Sequence, residues 1–243
     1  MLINGKEPIF VIGYPRSGNN WTARLLGDLL NCPIGRFGAA APICMEGLDR
    51  PGKYQITVLH LHVENLAGCS TFVLDAYRAC PSAWDNEKLV IVQRDPRDIA
   101  VSAWKFFDYG TLQETLEGMI GEKIAYVSWN EFVTGWNQVT IPCVRTSYEK
   151  LAQNTTDELR RIVDGLKIQS DGLDFAGCVK RQSFDERKVE LWQNGDSYMY
   201  GKALQVKNLR LGKVGDWKNY FTPELLKLYD DHLGKIAKEL GYD

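Results

Sequence analysis

The chain has 243 residues, 44% of them hydrophobic and 25% charged, which suits one globular domain with a substantial core spanning residues 1–243. A net charge of −2 gives no global attraction to nucleic acid or to an anionic membrane. Any polyanion site must therefore be a local cluster of Arg and Lys.

Four β-like runs can be read in chain order. Pro8-Ile-Phe-Val-Ile12 runs straight into Gly-Tyr-Pro, and this apolar stretch is far too short to span a bilayer or serve as a leader. A helical pattern follows over Trp21–Leu30, with Leu25, Leu26, Leu29 and Leu30 on one stripe. Gln55–Leu59 and Lys88–Gln93 are near-continuous apolar runs, as expected of strands buried on both faces of a parallel sheet. After Arg94, Asp95 is an N-cap, Pro96 takes the first helical position and Asp98 adds charge to the first turn, so a helix is predicted over 97–107. Ile141–Thr146 is the fourth strand. Tyr148–Leu166 and Pro223–Leu240 are amphipathic helical stretches, the second ended by Gly241. Strand–helix alternation predicts an α/β layered fold. In such sheets ligands gather beyond the carboxyl ends of the strands, and the polar features singled out below all follow apolar runs.

The six cysteines, at 32, 44, 69, 80, 143 and 178, include no Cys-x-x-Cys pair and no zinc-type spacing to a His. They read as reduced thiols in a cytoplasmic protein.

Gly13-Tyr-Pro-Arg-Ser-Gly-Asn-Asn-Trp21 lies between the first strand and the first helix. Glycines there let backbone N–H groups turn inward, and the helix N-terminus adds partial positive charge, which is the recipe for a phosphate site. The spacing Gly13…Gly18 is that of the nucleoside-triphosphate loop, but Asn19-Asn20 stand where that loop carries Lys and the magnesium-binding hydroxyl. Arg94 leaves the third strand, and Ser102 follows about two helical turns later. Arg210-Leu-Gly-Lys-Val-Gly-Asp-Trp-Lys-Asn-Tyr-Phe-Thr222 is a Gly-rich segment carrying cations, suited to closing over an anion. Taken singly, Arg94 reads as a surface ion pair and Trp21 as a core aromatic.

Together these blocks resemble the motifs of the PAPS-dependent sulfotransferases, where PAPS is 3′-phosphoadenosine 5′-phosphosulfate. The resemblance implies a three-layer α/β/α fold with a central, mainly parallel sheet, like that of P-loop NTPases. It implies that Arg16, Ser17, Gly18, Asn19 and Asn20 hold the 5′-phosphosulfate, with the two asparagines in place of two Thr donors, and that Trp21 stacks on adenine. Arg94, Ser102, Arg210 and Gly212 would hold the 3′-phosphate, with Leu211 where the family has Lys and Lys213 nearby as compensation. Tyr148, in Tyr148-Glu-Lys-Leu-Ala-Gln-Asn154, would bond the adenine, and Ser183-Phe184 would supply the other half of the adenine sandwich.

Transfer to an alcohol or amine needs a base, and a positioned His suits that task. His232 reads as a solvated helix residue. His60 and His62 follow the second strand on one face. They are similar to the family's Lys-x-His, which makes His62 the base with His60 beside it; in the alternative register His60 is the base. Leaving-group charge would fall to Arg16 and the loop amides, and no metal is expected. The acceptor, a small molecule, glycan or peptide, is not legible. Its pocket is expected among segment 34–54, Phe106-Phe107 and 185–209, with Phe37, Tyr109, Trp192, Tyr198 and Tyr200 as candidate walls. Monomer and homodimer both stay open. Two other readings remain: a non-catalytic PAP- or PAPS-binding protein, and a divergent P-loop kinase. His62→Ala is expected to slow transfer about 10²–10⁴-fold. Steady-state kinetics that put this loss in His60→Ala instead would assign the other register.

Overall fold

A computed structural model describes residues 5–37, 42–47, 49–59, 88–108, 110–121, 124, 127–138, 142–194 and 209–243. Six strands form one sheet: β1 (Glu7–Ile12), β2 (Ile34–Phe37), β3 (Pro42–Glu46), β4 (Tyr54–Leu59), β5 (Lys88–Gln93) and β6 (Val144–Ser147). Their order is β3-β2-β4-β1-β5-β6. Five run parallel; β3 pairs antiparallel with β2 at the edge.

Alternation along β1 shows why helices cover both faces. Phe10 and Ile12 point into one core with Leu89 and Ile91 of β5. Ile9 and Val11 point into the other with Val90 and Val92. The first face is covered by α2 (Pro96–Phe107), α3 (Leu112–Ile120), α4 (Trp129–Asn137) and the C-terminal helical segment. The second is covered by α1 (Asn19–Leu29), α5 (Tyr148–Gln153), α6 (Thr155–Gly165) and α7 (Phe175–Arg181). These layers make the predicted α/β/α architecture.

Several boundaries differ from the sequence expectation, each for a local reason. β6 begins at Val144, since Pro142 and Cys143 lie in irregular backbone and Pro offers no ladder donor. The stretch 148–166 is two helices. Asn154 leaves helical geometry at φ −149° and caps α6, its side chain accepting from Asp157 N at 3.1 Å. The C-terminal stretch starts on a Thr222 cap with Pro223 at the first position, as α9 (Pro223–Tyr229). It then widens into a π-turn over Asp230–Gly234 before α10 (Lys235–Glu239). His232 lies exposed in that π-turn. Between them, α8 (Phe184–Asn194) and a 3₁₀ turn (Asp216–Asn219) complete the described elements.

The parallel strands all end on one side. β1 delivers the loop 13–18, β5 delivers Arg94, and β6 delivers Tyr148 at the first position of α5. Leu59, the last residue of β4, is in register with Ile12, the last of β1.

Candidate active site

One cavity of about 210 Å³ opens where these strand ends meet. Arg16, Gly18, Asn19, Asn20, Trp21, Arg94, Ser102, Tyr148, Phe184, Arg210, Leu211 and Gly212 line it, so most of the residues singled out from sequence share one wall. Ser17 lies beneath, 1% exposed, its buried Oγ without a hydrogen-bond partner among the described residues. Ser183 Oγ accepts from Glu186 N at 3.3 Å at the start of α8. His60, His62, Tyr109, Tyr198 and Tyr200 lie outside the described residues, as do the side chains of Phe37 and Trp192.

The phosphate loop is held in an unusual backbone state. Arg16 adopts φ +72°, a left-handed conformation that costs a non-glycine residue about 1–2 kcal/mol. Its carbonyl accepts from Arg94 Nη1 at 3.0 Å, which ties the strained residue to the end of β5. Gly18, at φ +99°, packs so closely on Tyr148 that a Cβ there would stand 2.8 Å from the ring. Asn19 donates its side-chain amide to the Gly13 carbonyl at 2.8 Å. That hydrogen bond closes the loop from inside.

Arg16 and Arg94 are each oriented by an aromatic ring. The Arg16 guanidinium carbon lies 4.1 Å over Phe106, and its Nε donates to Ser102 Oγ at 3.1 Å. Arg94 lies 4.1 Å over Tyr148, and its Nη2 also donates to the Lys213 carbonyl at 3.4 Å. Trp21 meets Tyr148 at 5.4 Å and donates its indole N–H to the Gln182 carbonyl at 3.2 Å. Gly212, at φ +64°, lies against Phe184, which a Cβ would approach to 2.8 Å. The aromatic wall of Trp21, Tyr148 and Phe184 therefore borders the same space as the cations.

Arg16, Arg24, Arg94, Arg187, Arg210 and Lys213 line the cavity, and among the described residues no carboxylate lines it. The balancing acids sit behind the wall: Glu46 on Arg24 at 3.2 Å, Asp216 on Arg210 at 2.5 Å, Glu190 on Arg187 at 2.5 Å. Burial, then repulsion from Arg94 and Arg210, pushes the Arg16 pKa down to about 9. An arriving anion reverses that repulsion, so the cavity is electrostatically prepared for one.

Sequence reasoning missed three wall residues and one anchor. Arg24 stands three residues after Trp21, and Arg187 three after Phe184, a spacing that puts each on its aromatic neighbour's helix face. Gln182 immediately precedes the Ser183-Phe184 pair. Asp98 looked like a dipole-favourable charge in the first turn of α2. It is 1% exposed and reaches across to the Gly-rich segment, accepting from Gly215 N at 2.7 Å and Trp217 N at 3.0 Å. Burial raises its pKa above the usual Asp value despite Arg94 nearby. Arg97 stacks at 4.1 Å on Trp217 and pairs with Asp95, fixing the same segment from the other side.

The sulfotransferase domain model matches residues 6–241, and the chain belongs to the sulfotransferase family. Sulfotransferase 1B1 of Mus musculus is 26% identical over 251 residues, covering 91% of this chain and 80% of that protein. Sulfotransferase 2A1 of Homo sapiens is 24% identical, covering 96% and 87%. The fold is shared with mouse sulfotransferase SULT7A1 complexed with PAP, at a TM-score of 0.69 and 24% identity over 96% of this chain and 88% of that one. Retinol dehydratase in a complex with retinol and PAP gives 0.64 and 17%, over 98% and 82%.

Asp98→Asn leaves one backbone donor facing an amide N–H₂. It is expected to destabilise the fold by about 1–3 kcal/mol and to accelerate amide hydrogen exchange at Gly215 and Trp217. Wild-type protection at both amides in the variant would remove the anchoring role.

Proposed function

We propose that the cavity binds PAPS and that the chain transfers its sulfuryl group to a hydroxyl or amine of an acceptor. The observation that carries this is the company of the phosphate loop. A loop without the Lys-Ser/Thr pair opens into the same cavity as Arg94, Ser102 and Arg210, beside Trp21, Tyr148 and Phe184. A nucleotide with anions at both its 5′ and 3′ positions suits that set of groups. The PAP present in the two structures of similar fold supports the same assignment.

In this reading Arg16, Gly18, Asn19 and Asn20 face the 5′-phosphosulfate, with Ser17 Oγ beneath as a further donor. Arg94, Ser102 and Arg210 face the 3′-phosphate. The aromatic wall takes the adenine. Acceptor attack forms a new oxygen–sulfur or nitrogen–sulfur bond as the sulfur–oxygen bond to the 5′-phosphate breaks. His62 takes the acceptor's proton, or His60 in the other register. Support for a base from this segment is positional: His60 follows Leu59, whose strand partner Ile12 leads into the phosphate loop. The negative charge left on the 5′-phosphate falls to Arg16, whose desolvated guanidinium is worth most where water is excluded. The scheme uses no metal. Phe106 and Phe107 line the cavity and are offered as part of the acceptor side. Among the described residues no helix is long and apolar enough to cross a membrane. A cytoplasmic enzyme acting on a small molecule, glycan or peptide fits this chemistry.

The test is transfer from radiolabelled PAPS to a panel of phenols, alcohols and amines. The wild type is expected to label at least one acceptor class, and Arg16→Ala to abolish labelling. Tight PAP binding with no labelled acceptor would point to a non-catalytic binder. Magnesium-dependent ATP turnover without use of PAPS would favour the kinase reading.

A further inference from the structure

Among the described residues the cavity gathers six cations and no carboxylate on its wall, and Arg16 is pressed by two of them. Something must hold its guanidinium in place without consuming the edge that an anion needs. A carboxylate would compete with the ligand for the N–H groups. An aromatic face does not: it attracts the cation through the ring quadrupole and accepts none of those hydrogen bonds. Phe106 supplies that face at 4.1 Å. It stands four residues after Ser102 on α2, so the helix presents the hydroxyl and the ring to one guanidinium. Phe107 packs edge-on against Phe106 at 4.8 Å and 85°, which restricts the ring. The backbone end of Arg16 is fixed separately, by its carbonyl's bond to Arg94.

We infer that Phe106 is a positioning residue for Arg16 and that it makes this site require arginine rather than lysine at position 16. The inference rests on the PAPS reading above. A planar guanidinium can lie over the ring while its edge faces the leaving oxygen. A lysine ammonium over the same ring would point at the ring or at the anion, but not serve both in a fixed direction.

The test is a double-mutant cycle of Arg16→Lys and Phe106→Leu, with Phe106→Tyr as the conservative variant. The readouts are kcat and KM for PAPS, and the Kd of PAP by calorimetry. Phe106→Leu is expected to lower kcat/KM for PAPS about tenfold, and Phe106→Tyr to restore most of that loss. Arg16→Lys is expected to cost much less in the Phe106→Leu background than alone. Additive losses, or a tyrosine variant as impaired as the leucine one, would overturn the inference while wild-type transfer from PAPS left the function standing. A wild type that neither turns over PAPS nor binds PAP would overturn both.

Discussion

Arg94 donates one N–H to the carbonyl of Arg16 and another to the carbonyl of Lys213, while its plane rests over Tyr148. One guanidinium at the end of β5 thereby joins the phosphate loop, the Gly-rich segment and the end of β6. The rest of the site depends on that junction. Arg16 is held in a backbone state it would not choose alone, and the Gly-rich segment is brought over the opening. The same cation adds to the repulsion felt by Arg16, so the tie is built from groups that also hold the cavity ready for an anion.

The sheet makes this junction possible. β1, β5 and β6 lie side by side and parallel, so the three segments that follow them emerge on the same edge. Alternate residues of β1 and β5 feed two separate cores, and the strand ends are braced from both faces. Asp98 and Arg97 extend that bracing outward. Both sit in the first turn of α2, and between them they fix Gly215 and Trp217, beyond the cavity wall. A charge-rich helix start that seemed to need only its own cap is thus the foundation for a distant loop.

Much of this was legible in the sequence because the signals are local. Continuous apolar runs marked β4 and β5, Asp95-Pro96 marked the start of α2, and glycine spacing marked the phosphate loop. The three family-like blocks then brought distant residues to one cavity. What was not legible depends on tertiary contact. The short strand β2 and the edge strand β3 beside it carry no pattern of their own. Asn154 cuts a helical stretch by capping its second half, and Asn19 bonds the Gly13 carbonyl across the loop. Ser183 Oγ takes a backbone N–H at a helix start, and Arg24 and Arg187 join the wall because α1 and α8 both border the cavity. The base stays a sequence-level assignment, since His60 and His62 lie outside the described residues.

The central claim is that one cavity holds two anionic ends of a single nucleotide, one at the phosphate loop and one at Arg94, Ser102 and Arg210. Calorimetric titration of the wild type and Arg94→Ala with PAP and with adenosine 5′-phosphate tests it most directly. The account predicts that the wild type binds PAP about tenfold to a hundredfold tighter than the monophosphate, and that Arg94→Ala erases most of the difference. Equal affinities of the wild type for the two nucleotides would contradict it.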